Sequence, residues 1–454
     1  MLDIVILAAG KGTRMRSVKP KVMQTIAGKP MLHHVVDTAR PLLGDNRSPI
    51  VVVGFGKKLV LGSFEAGDIT SVEQIEQLGT GHAVAQAIPE LNDDSTVLIL
   101  YGDVPLIQAQ TLQALMDQSA GDSLAVLTVN LPNPTGYGRI VRDANQKITA
   151  IVEQKDATAE QREINEINTG IMAVPARLLK KWLPELSSDN AQGEYYLTDI
   201  IARASAEGVA VNSAQPEYLW EVEGVNDRRQ QAALERAYQS FNAQRLLAEG
   251  VMLADPMRFD CRAKLTLGRD IEIDINVVLE GEVELGDGVT IGPNCVVRNS
   301  TLAAGTRVEA NSLIDGATVA EKCVIGPFAR LRPGTQLQKE AKVGNFVEIK
   351  KSVIGAGSKV NHLTYIGDCT MGSGVNVGAG TITCNYDGVN KFRTEIGDNS
   401  FIGSNSALVA PVVLAEGTTV GAGSTITRAT QTDDLAIARA KQRNIVGWQR
   451  PTKK

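Results

Sequence analysis

The 454-residue sequence predicts an α/β domain, a connecting helix and a parallel β-helix built from hexapeptide repeats. Three observations predict this fold class. Short apolar runs alternate with helical stretches up to about residue 225, a segment without Gly or Pro follows, and aliphatic residues then recur every six positions from about residue 271 to residue 428. We therefore assign the α/β domain to residues 1–226, the connecting helix to 227–250, and the β-helix with a C-terminal tail to 251–454.

The strands of the α/β domain are predicted from apolar runs at residues 4–7, 50–53, 97–100 and 124–127. Because helical stretches lie between them, we expect a parallel sheet that is covered by crossover helices. In a sheet of this kind, ligands bind beyond the carboxyl ends of the strands. The loops that follow these runs are therefore candidate sites.

The connecting helix is predicted from spacing and composition. Leu234, Tyr238 and Phe241 recur at helical spacing in a segment rich in Arg, Gln and Glu, and Gly250 ends the pattern. A helix at this place separates two parts of the chain whose periodicities differ.

The six-residue period predicts the second domain. In a parallel β-helix each short strand turns one aliphatic side chain inward, and Gly, Asn, Asp or Ser turns the corner. Stacked coils thereby bury a continuous ladder, which a single coil could not do. The positions expected to point inward include Ile273, Leu279, Leu285, Ile291 and Val297, and later Ile396, Ile402, Leu408, Leu414, Val420 and Ile426.

Composition narrows the possible partners and location. The net charge of -5 and a pI near 5.6 argue against nucleic acid as a partner, because phosphate backbones select basic surfaces. The first apolar run is too short for a signal peptide, and no run approaches the roughly 20 apolar residues of a membrane span. The five cysteines are odd in number and widely spaced, which matches neither a disulfide framework nor a metal site, so we expect a cytoplasmic protein without a membrane partner.

A Gly-rich loop follows the first strand, where residues 7–15 read LAAGKGTRM and Pro20-Lys21 comes next. Backbone N–H groups of such a turn can approach phosphates closely, and Arg14 and Lys21 would neutralise their charge. Taken by itself, a Gly-x-Gly pattern is more often an ordinary tight turn. The phosphate-binding interpretation therefore depends on the rest of the string.

Asp103 lies just past the strand at 97–100, where ligands meet an α/β sheet. A lone carboxylate there suits Mg²⁺, which takes few protein ligands together with substrate phosphates. The alternative is a loop Asp that caps a turn. His82, which follows a Gly-Thr-Gly turn, is better explained by a structural role than as a base.

The complete string at 7–15, with Pro20-Lys21, resembles the signature of sugar-1-phosphate nucleotidyltransferases. Companion motifs follow in order at residues 77–82, 101–105, 136–139, 153, 168–170 and 223–226. The resemblance implies that Arg14 and Lys21 are catalytic and that Asp103 and Asn226 share Mg²⁺. It also implies that UTP and the sugar nucleotide contact Leu7, Ala8, Ala9, Gly10, Lys21, Gln74, Gly79, Thr80, Tyr101, Gly102, Asp103, Gly138, Glu153, Asn168 and Asn226.

His362 is the candidate base of the second domain. An imidazole is suited to removing a proton from an attacking amine, although a lone His is more often structural. It lies in the polar segment 361–368, one of several segments that interrupt the repeat together with 327–334, 344–351 and 378–388. A repeat array needs aliphatic and corner residues alone, so such interruptions indicate function.

From Leu7 to Arg439 the motifs of both halves resemble the bifunctional family that combines N-acetylglucosamine-1-phosphate uridylyltransferase with glucosamine-1-phosphate N-acetyltransferase. The family implies a Rossmann-like first domain and a left-handed β-helix, and a homotrimer with acetyl-CoA between neighbouring β-helices. By motif, His362 is the base, and glucosamine 1-phosphate binds Arg332, Lys350, Tyr365 and Asn376. Asn385 and Tyr386 position the sugar and also contact acetyl-CoA, and the further acetyl-CoA contacts are Ala379, Ser404, Ala422 and Arg439.

The implied function is acetylation of glucosamine 1-phosphate by acetyl-CoA, followed by Mg²⁺-dependent uridylyl transfer from UTP to N-acetylglucosamine 1-phosphate. The product, UDP-N-acetylglucosamine, is a precursor of peptidoglycan and lipopolysaccharide. The alternative is a nucleotidyltransferase whose β-helix is a non-catalytic oligomerisation module. That alternative gives no reason for His362, Lys350 and Asn385-Tyr386 to occur together.

Overall fold

The computed structural model describes residues 1–44 and 47–453. Two compact units make up the chain, Met1–Tyr238 and a second that starts at Gln239. The division falls inside the helix Arg228–Ala248, which lies within the segment predicted to connect the domains. The predicted boundaries at residues 226 and 250 stay a prediction.

The first unit is built on one twisted sheet. The four predicted runs all lie within strands of this sheet. Across the sheet the strands follow the order Val211–Ala214, Leu124–Asn130, Glu166–Pro175, Thr96–Tyr101, Leu2–Ala8, Ile50–Val53 and Thr70–Glu73.

The sheet is mixed where a parallel sheet was expected, since Glu166–Pro175 pairs antiparallel with both of its neighbours. The chain before this strand forms the antiparallel ribbon of Arg139–Arg142 and Ile148–Val152. The ribbon turns the chain back, whereas a parallel neighbour would need a covering crossover helix. The remaining strand pairs along the sheet are parallel.

Helices cover both faces of the sheet. Alternate residues of one strand enter different cores: Ile99 packs into one apolar cluster, and Leu98 and Leu100 pack into another. Burial on both faces explains why these strands read as continuous apolar runs. The α-helices of this unit are Met31–Ala39, Lys57–Leu61, Thr80–Ala85, Ala109–Asp117, Ala159–Arg162, Ala176–Trp182 and Asp199–Ala206, and short 3₁₀ turns include Thr13–Met15 and Lys21–Met23.

The second unit is a parallel β-helix whose strands stack in three columns. One column runs through Met252–Leu253, Glu272–Ile273, Thr290–Ile291, Arg307–Val308, Val324–Ile325, Lys342–Asn345, Lys359–His362, Asn376–Val377, Phe401–Ile402, Thr419–Val420 and Leu435–Ala436. The second holds Leu313–Asp315, Arg330–Leu331, Glu348–Lys350, Tyr365–Gly367, Ile382–Cys384, Ala407–Val409 and Thr425–Ile426; the third holds Thr318–Val319, Gln336–Leu337, Val353–Ile354, Cys369–Met371, Thr394–Ile396 and Val412–Leu414. At the start of the array, the longer strands Phe259–Leu267, Val277–Leu285 and Val296–Leu302 join the last two columns.

One coil comprises about three hexapeptides. Ile273 pairs with Ile291, and the side chains of Asn276 and Asn294 are hydrogen-bonded across a separation of 18 residues. Every aliphatic position predicted to point inward is buried. The array is longer than the predicted span of 271–428, since its first strand is Met252–Leu253 and its last is Leu435–Ala436.

One corner of the β-helix carries large residues in an unusual conformation. Phe328, Phe346 and Leu363 have φ values of 55°, 57° and 50°, in the left-handed region that bulky side chains rarely adopt. Their side chains are at least half exposed, and the two phenylalanine rings stack with centroids 5.2 Å apart. This corner therefore presents an apolar stripe to its surroundings.

The cysteines belong to the β-helix, and four of them are buried thiols. Burial raises the pKa of Cys323 to about 11 and that of Cys369 to about 12, so both thiols stay protonated at neutral pH. Within residues 1–44 and 47–453, no helix is long and apolar enough to cross a membrane.

Candidate active sites

The Gly-rich loop leaves the carboxyl end of the strand Leu2–Ala8 and carries Arg14 in the turn Thr13–Met15. Gly12 has a φ of +60°, and a Cβ there would lie 2.5 Å from the Cβ of Lys21. Gly is therefore required at this position, both for the backbone conformation and for the close approach of the Lys21 stem.

A charged cluster joins three segments that are distant in sequence. Lys21 Nζ forms an ion pair with Asp103 and donates to Asn226 Oδ1 at 3.1 Å, and Arg14 Nη2 donates to the same oxygen at 2.9 Å. The backbone N–H of Val225 donates to the carbonyl of Asp103 at 2.9 Å, which holds Asn226 beside the carboxylate. The structure thus brings together all four residues that the sequence assigned to catalysis and metal binding in this domain.

A cavity of about 250 Å³ opens beside this cluster. Most of its lining was predicted from the sequence. The predicted residues that line it are Leu7, Ala8, Ala9, Gly10, Lys21, Gln74, Gly79, Thr80, Tyr101 and Asp103, and Val22, Gln77, Ala83 and Glu194 complete the wall. The His82 ring nitrogen Nδ1 lies 3.1 Å from Gln74 Nε2, which agrees with a structural role for this histidine.

Three further predicted residues form a separate group. The backbone N–H of Asn168 donates to the Gly138 carbonyl at 2.9 Å, and a Cβ on Gly138 would lie 3.2 Å from Glu153 Oε1. Burial raises the pKa of Glu153, although a hydrogen bond from Thr198 opposes this shift. Gly102 is a packing position, because a Cβ there would meet the Leu32 side chain at 3.1 Å.

The sequence reasoning missed the segment 194–197, which contributes Glu194 to the cavity lining and packs against the segment 79–81. The Gly81 N–H donates to the Tyr195 carbonyl at 2.8 Å, and the Leu197 N–H donates to Thr80 Oγ1 at 3.1 Å. The polar and aromatic run Glu194-Tyr195-Tyr196 just before the helix Asp199–Ala206 was a signal that could have been used.

In the second unit, His362 ends the strand Lys359–His362 and its side chain is exposed. Its Nδ1 lies 2.7 Å from Oδ1 of Asn345, the residue that pairs with it on the preceding coil. With Asn345 Oδ1 as acceptor, Nδ1 carries the proton and Nε2 remains the basic nitrogen. Asn345 was not predicted, although it lies in one of the segments that interrupt the repeat.

Four predicted acetyl-CoA residues form a stack on successive coils, at the corner of the β-helix that carries His362. The Gly380 N–H donates to the His362 carbonyl at 3.3 Å, so residues 379–380 lie one coil beyond the histidine. From there this stack continues through hydrogen bonds from Asn405 N to Ala379 O, from Gly423 N to Ser404 O, and from Arg439 Nη1 to Ala422 O at 2.6 Å. Ala379, Ser404, Ala422 and Arg439 therefore follow His362 on successive coils.

Two predicted sugar-phosphate residues, Arg332 and Lys350, form a basic group on the second column of strands. The Arg332 N–H donates to the Ile349 carbonyl, which sets Arg332 next to Lys350. Lys391, which was not predicted, lies beside Lys350, and this neighbouring ammonium lowers the pKa of Lys391. Arg332 also donates to Glu348 Oε1 at 2.8 Å.

Tyr365 and Asn385 converge over Gly367, where a Cβ would collide with the Tyr365 hydroxyl and the Asn385 amide. Asn385 donates to Asp368, and Tyr386 pairs with Lys391 across the loop that extends from the coil. Asn376 is apart from this group, on the first column, where it pairs with Lys359 and Phe401.

Fold and sites together define a sugar-phosphate nucleotidyltransferase unit followed by a hexapeptide-repeat transferase unit. The family model described as MobA-like NTP transferase domain matches residues 4–164, and the bacterial transferase hexapeptide model (six repeats) matches residues 393–428.

Relatives from several organisms match this chain over its whole length. A protein of Cellvibrio japonicus is 62% identical and one of Saccharophagus degradans is 59% identical, each with 100% of both chains covered. One of Marinobacter nauticus is 58% identical and covers 100% of this chain and 99% of its own. Each of them is named bifunctional protein GlmU. The chain belongs to the bifunctional GlmU family.

The chain is accordingly a bifunctional enzyme of UDP-N-acetylglucosamine synthesis, with uridylyltransferase and glucosamine-1-phosphate acetyltransferase activities that use UTP and acetyl-CoA. Its second unit is a left-handed β-helix. The product serves peptidoglycan and cell-wall synthesis. The alternative in which the β-helix is non-catalytic is thereby set aside.

Proposed function

We propose that the two activities divide between the two predicted domains, with uridylyl transfer in residues 1–226, acetyl transfer in 251–454 and 227–250 as the connection. The observation that carries this proposal is the convergence of Arg14 and Lys21 on Asn226 in the first unit. Its counterpart in the second unit is the contact of His362 with Asn345. Each arrangement supplies the groups that one of the two reactions needs.

For uridylyl transfer, Arg14 and Lys21 stabilise the charge that develops as an oxygen of N-acetylglucosamine 1-phosphate attacks the α-phosphorus of UTP. The new P–O bond forms as the bond to the departing pyrophosphate breaks, so no protein nucleophile is required. Preorganised cations of this kind stabilise the transition state because they need no reorganisation as the charge moves. The cavity walled by Gln74, Gly79 and Thr80 is suited to the nucleoside.

We propose that Asp103 and Asn226 hold Mg²⁺. Their donor atoms are a carboxylate and an amide oxygen, the oxygen types that this cation prefers. The Lys21 ammonium contacts both side chains, so a single cation can reach both. When bound, Mg²⁺ would supply charge neutralisation on the phosphates.

For acetyl transfer, Nε2 of His362 accepts the proton of the amine of glucosamine 1-phosphate. The N–C bond forms at the thioester carbonyl and the C–S bond breaks. The departing sulfur takes the proton from His362, so CoA leaves as the thiol and the base is regenerated. Arg332, Lys350 and the unpredicted Lys391 would bind the sugar phosphate. The sugar would be positioned by Tyr365, Asn376, Asn385 and Tyr386. Acetyl-CoA would be bound by the stack of corner residues from Ala379 to Arg439.

We further propose a homotrimer. The exposed stripe of Phe328, Phe346 and Leu363 beside His362 supports this assembly, since apolar surface of this kind is usually covered by a partner. Asn376 lies on a different column from Arg332 and Lys350, so a second copy is the simplest way to complete the site. Free thiols and metabolite substrates favour a cytoplasmic location.

The test is a crossed pair of assays on His362→Ala and Asp103→Ala. We expect His362→Ala to reduce CoA release by about 10²- to 10⁴-fold, as for loss of a general base, with normal pyrophosphate release. Asp103→Ala should do the opposite. Full CoA release by His362→Ala would remove His362 as the base, and an unchanged Mg²⁺ dependence in Asp103→Ala would remove Asp103 from the metal site.

A further inference from the structure

The loop that connects Arg14 with Lys21 is exposed and needs external support. Arg16 adopts a φ of 47°, a backbone conformation that is unfavourable for a residue with a side chain, and Val18 is 98% exposed. A loop of this kind keeps one conformation when the structure around it fixes that conformation. The placement of the Arg14 and Lys21 side chains depends on this loop, because these residues lie at its two ends.

Gln24 supplies this support from below. Its side chain is 6% exposed, and its Nε2 donates to Ser17 Oγ and to the Lys19 carbonyl, both at 3.2 Å. The Lys19 N–H also donates to Ser17 Oγ at 3.1 Å. One buried amide therefore fixes the middle of the loop at two points.

Arg228 in turn fixes Gln24. Its Nη1 donates to Gln24 Oε1 at 2.9 Å from the first turn of the helix Arg228–Ala248. The same stretch of helix is anchored to the first unit by Gln231, which donates to the Thr25 carbonyl at 2.8 Å, and by Leu234, which is buried against Met15. The beginning of the predicted connecting helix thus contributes to the environment of the loop.

We infer that Gln24 is a positioning residue for uridylyl transfer, which holds the loop so that Arg14 and Lys21 are placed for the transition state, and that Arg228 acts through Gln24. This inference rests on the proposed roles of Arg14 and Lys21. Gln24 lines no part of the cavity, so its loss changes the placement of the cations and leaves the nucleoside and sugar contacts in place. The effect should therefore fall on kcat more than on KM.

The test is Gln24→Met, which keeps the length of the side chain and removes its hydrogen bonds. We expect kcat for pyrophosphate release to fall about 10-fold or more, because small misplacements of catalytic groups have large effects, with KM for UTP within about threefold. Acetyl transfer by the same chain should be unchanged. A normal kcat, or a loss confined to KM, would overturn the inference.

Arg228→Met provides an independent test, with Arg229→Met, the neighbouring exposed arginine of the same turn, as the matched control. We expect Arg228→Met to lower kcat about threefold alone and to have no further effect in Gln24→Met, since two residues that act in series are not additive. If Gln24→Met fails to fold, Arg228→Met decides, and an unchanged kcat contradicts the inference. Lys21→Met distinguishes failure of the proposed uridylyl-transfer site from failure of the positioning role of Gln24. If Lys21→Met retains uridylyl transfer, the proposed site is wrong. If Lys21→Met is inactive and Gln24→Met is active, the role of Gln24 alone is refuted.

Discussion

Contacts at the two sites span very different lengths of sequence, since Arg14 reaches Asn226 across 212 residues and His362 reaches Asn345 across 17. In the first unit, loops at the ends of separate strands meet at one place. In the second, each coil adds a residue beside the one before it. The geometry of the first site therefore depends on a few long-range contacts. The geometry of the second is set by the regular stacking of neighbouring coils.

This difference predicts how each site responds to a local change. A disturbance of the backbone in the first unit separates segments that no neighbouring repeat can hold in place. In the β-helix, parallel hydrogen bonds on both sides of a coil limit the displacement, so the effect should stay with the side chain that is changed.

Among local changes that test this comparison, the largest effect is expected for Gly79→Ala. A Cβ at this position would lie 2.6 Å from the Tyr195 carbonyl oxygen and 2.8 Å from its nitrogen, so the cavity wall must shift, and the φ of +114° adds strain. We expect kcat/KM for uridylyl transfer to fall about 100-fold. Gly67→Ala is the control, because that glycine also has a positive φ but has open space around it. Equal losses in both variants would attribute the effect to strain alone.

Asn345→Ala should have the next largest effect. The imidazole of His362 loses the partner of Nδ1, so tautomer and orientation are no longer fixed, and kcat for acetyl transfer should fall about 10-fold. Asn345→Asp retains an acceptor oxygen and should recover most of the rate in a CoA-release assay. A full rate in Asn345→Ala would show that the histidine is positioned by other groups.

Gly367→Ala should have a smaller effect, because the atoms that a Cβ would meet are the ends of the Tyr365 and Asn385 side chains. These can rotate away, which disturbs the sugar contacts without moving the coil. We expect the KM for glucosamine 1-phosphate to rise about fivefold, with the KM for acetyl-CoA unchanged. A loss of both activities, or of folding, would contradict the view that coils confine local changes.

The smallest effect concerns pH and the first unit. Burial lowers the pKa of His34, whose Nε2 contacts the Ile26 carbonyl at 2.9 Å, so the unfolded chain binds a proton more readily than the folded one. The associated stability is complete above the unfolded pKa of about 6.5 and declines as the pH falls below it. His34→Gln should lose less stability between pH 7.5 and 5.5, measured by the urea midpoint of the first unit. An identical pH dependence in both proteins would exclude His34 as a source of acid sensitivity.

Much of the fold was predictable because its signals are local. The buried strands of the first unit, the Gly-rich loop and the inward aliphatic positions of the β-helix each depend on a short stretch of sequence. The antiparallel strand Glu166–Pro175 was not predictable in this way, since its direction depends on the ribbon that precedes it. Segment 194–197 was missed for the same reason, because its place in the cavity wall depends on long-range contacts with Thr80 and Gly81.

The side-chain contacts between neighbouring coils of the β-helix could not be predicted from the sequence for a different reason. A regular period would let every contact be counted from the sequence, but Asn276 and Asn294 are 18 residues apart whereas Asn345 and His362 are 17 apart. A one-residue change of coil length alters which side chain stacks on which. Asn345 therefore could not be assigned to His362, nor Lys391 to Lys350, until the register was known.

The register also bears on how the chain acquires its structure during synthesis. The strand Leu2–Ala8 pairs with Ile50–Val53 and with Thr96–Tyr101, and the latter pairs in turn with Glu166–Pro175, so most of this unit must leave the ribosome before the strand order of its sheet is complete. The β-helix can instead grow as each new coil emerges and docks on the last one. Its acetyl-transfer site would then be completed late in the growth of the array, when Arg439 reaches Ala422.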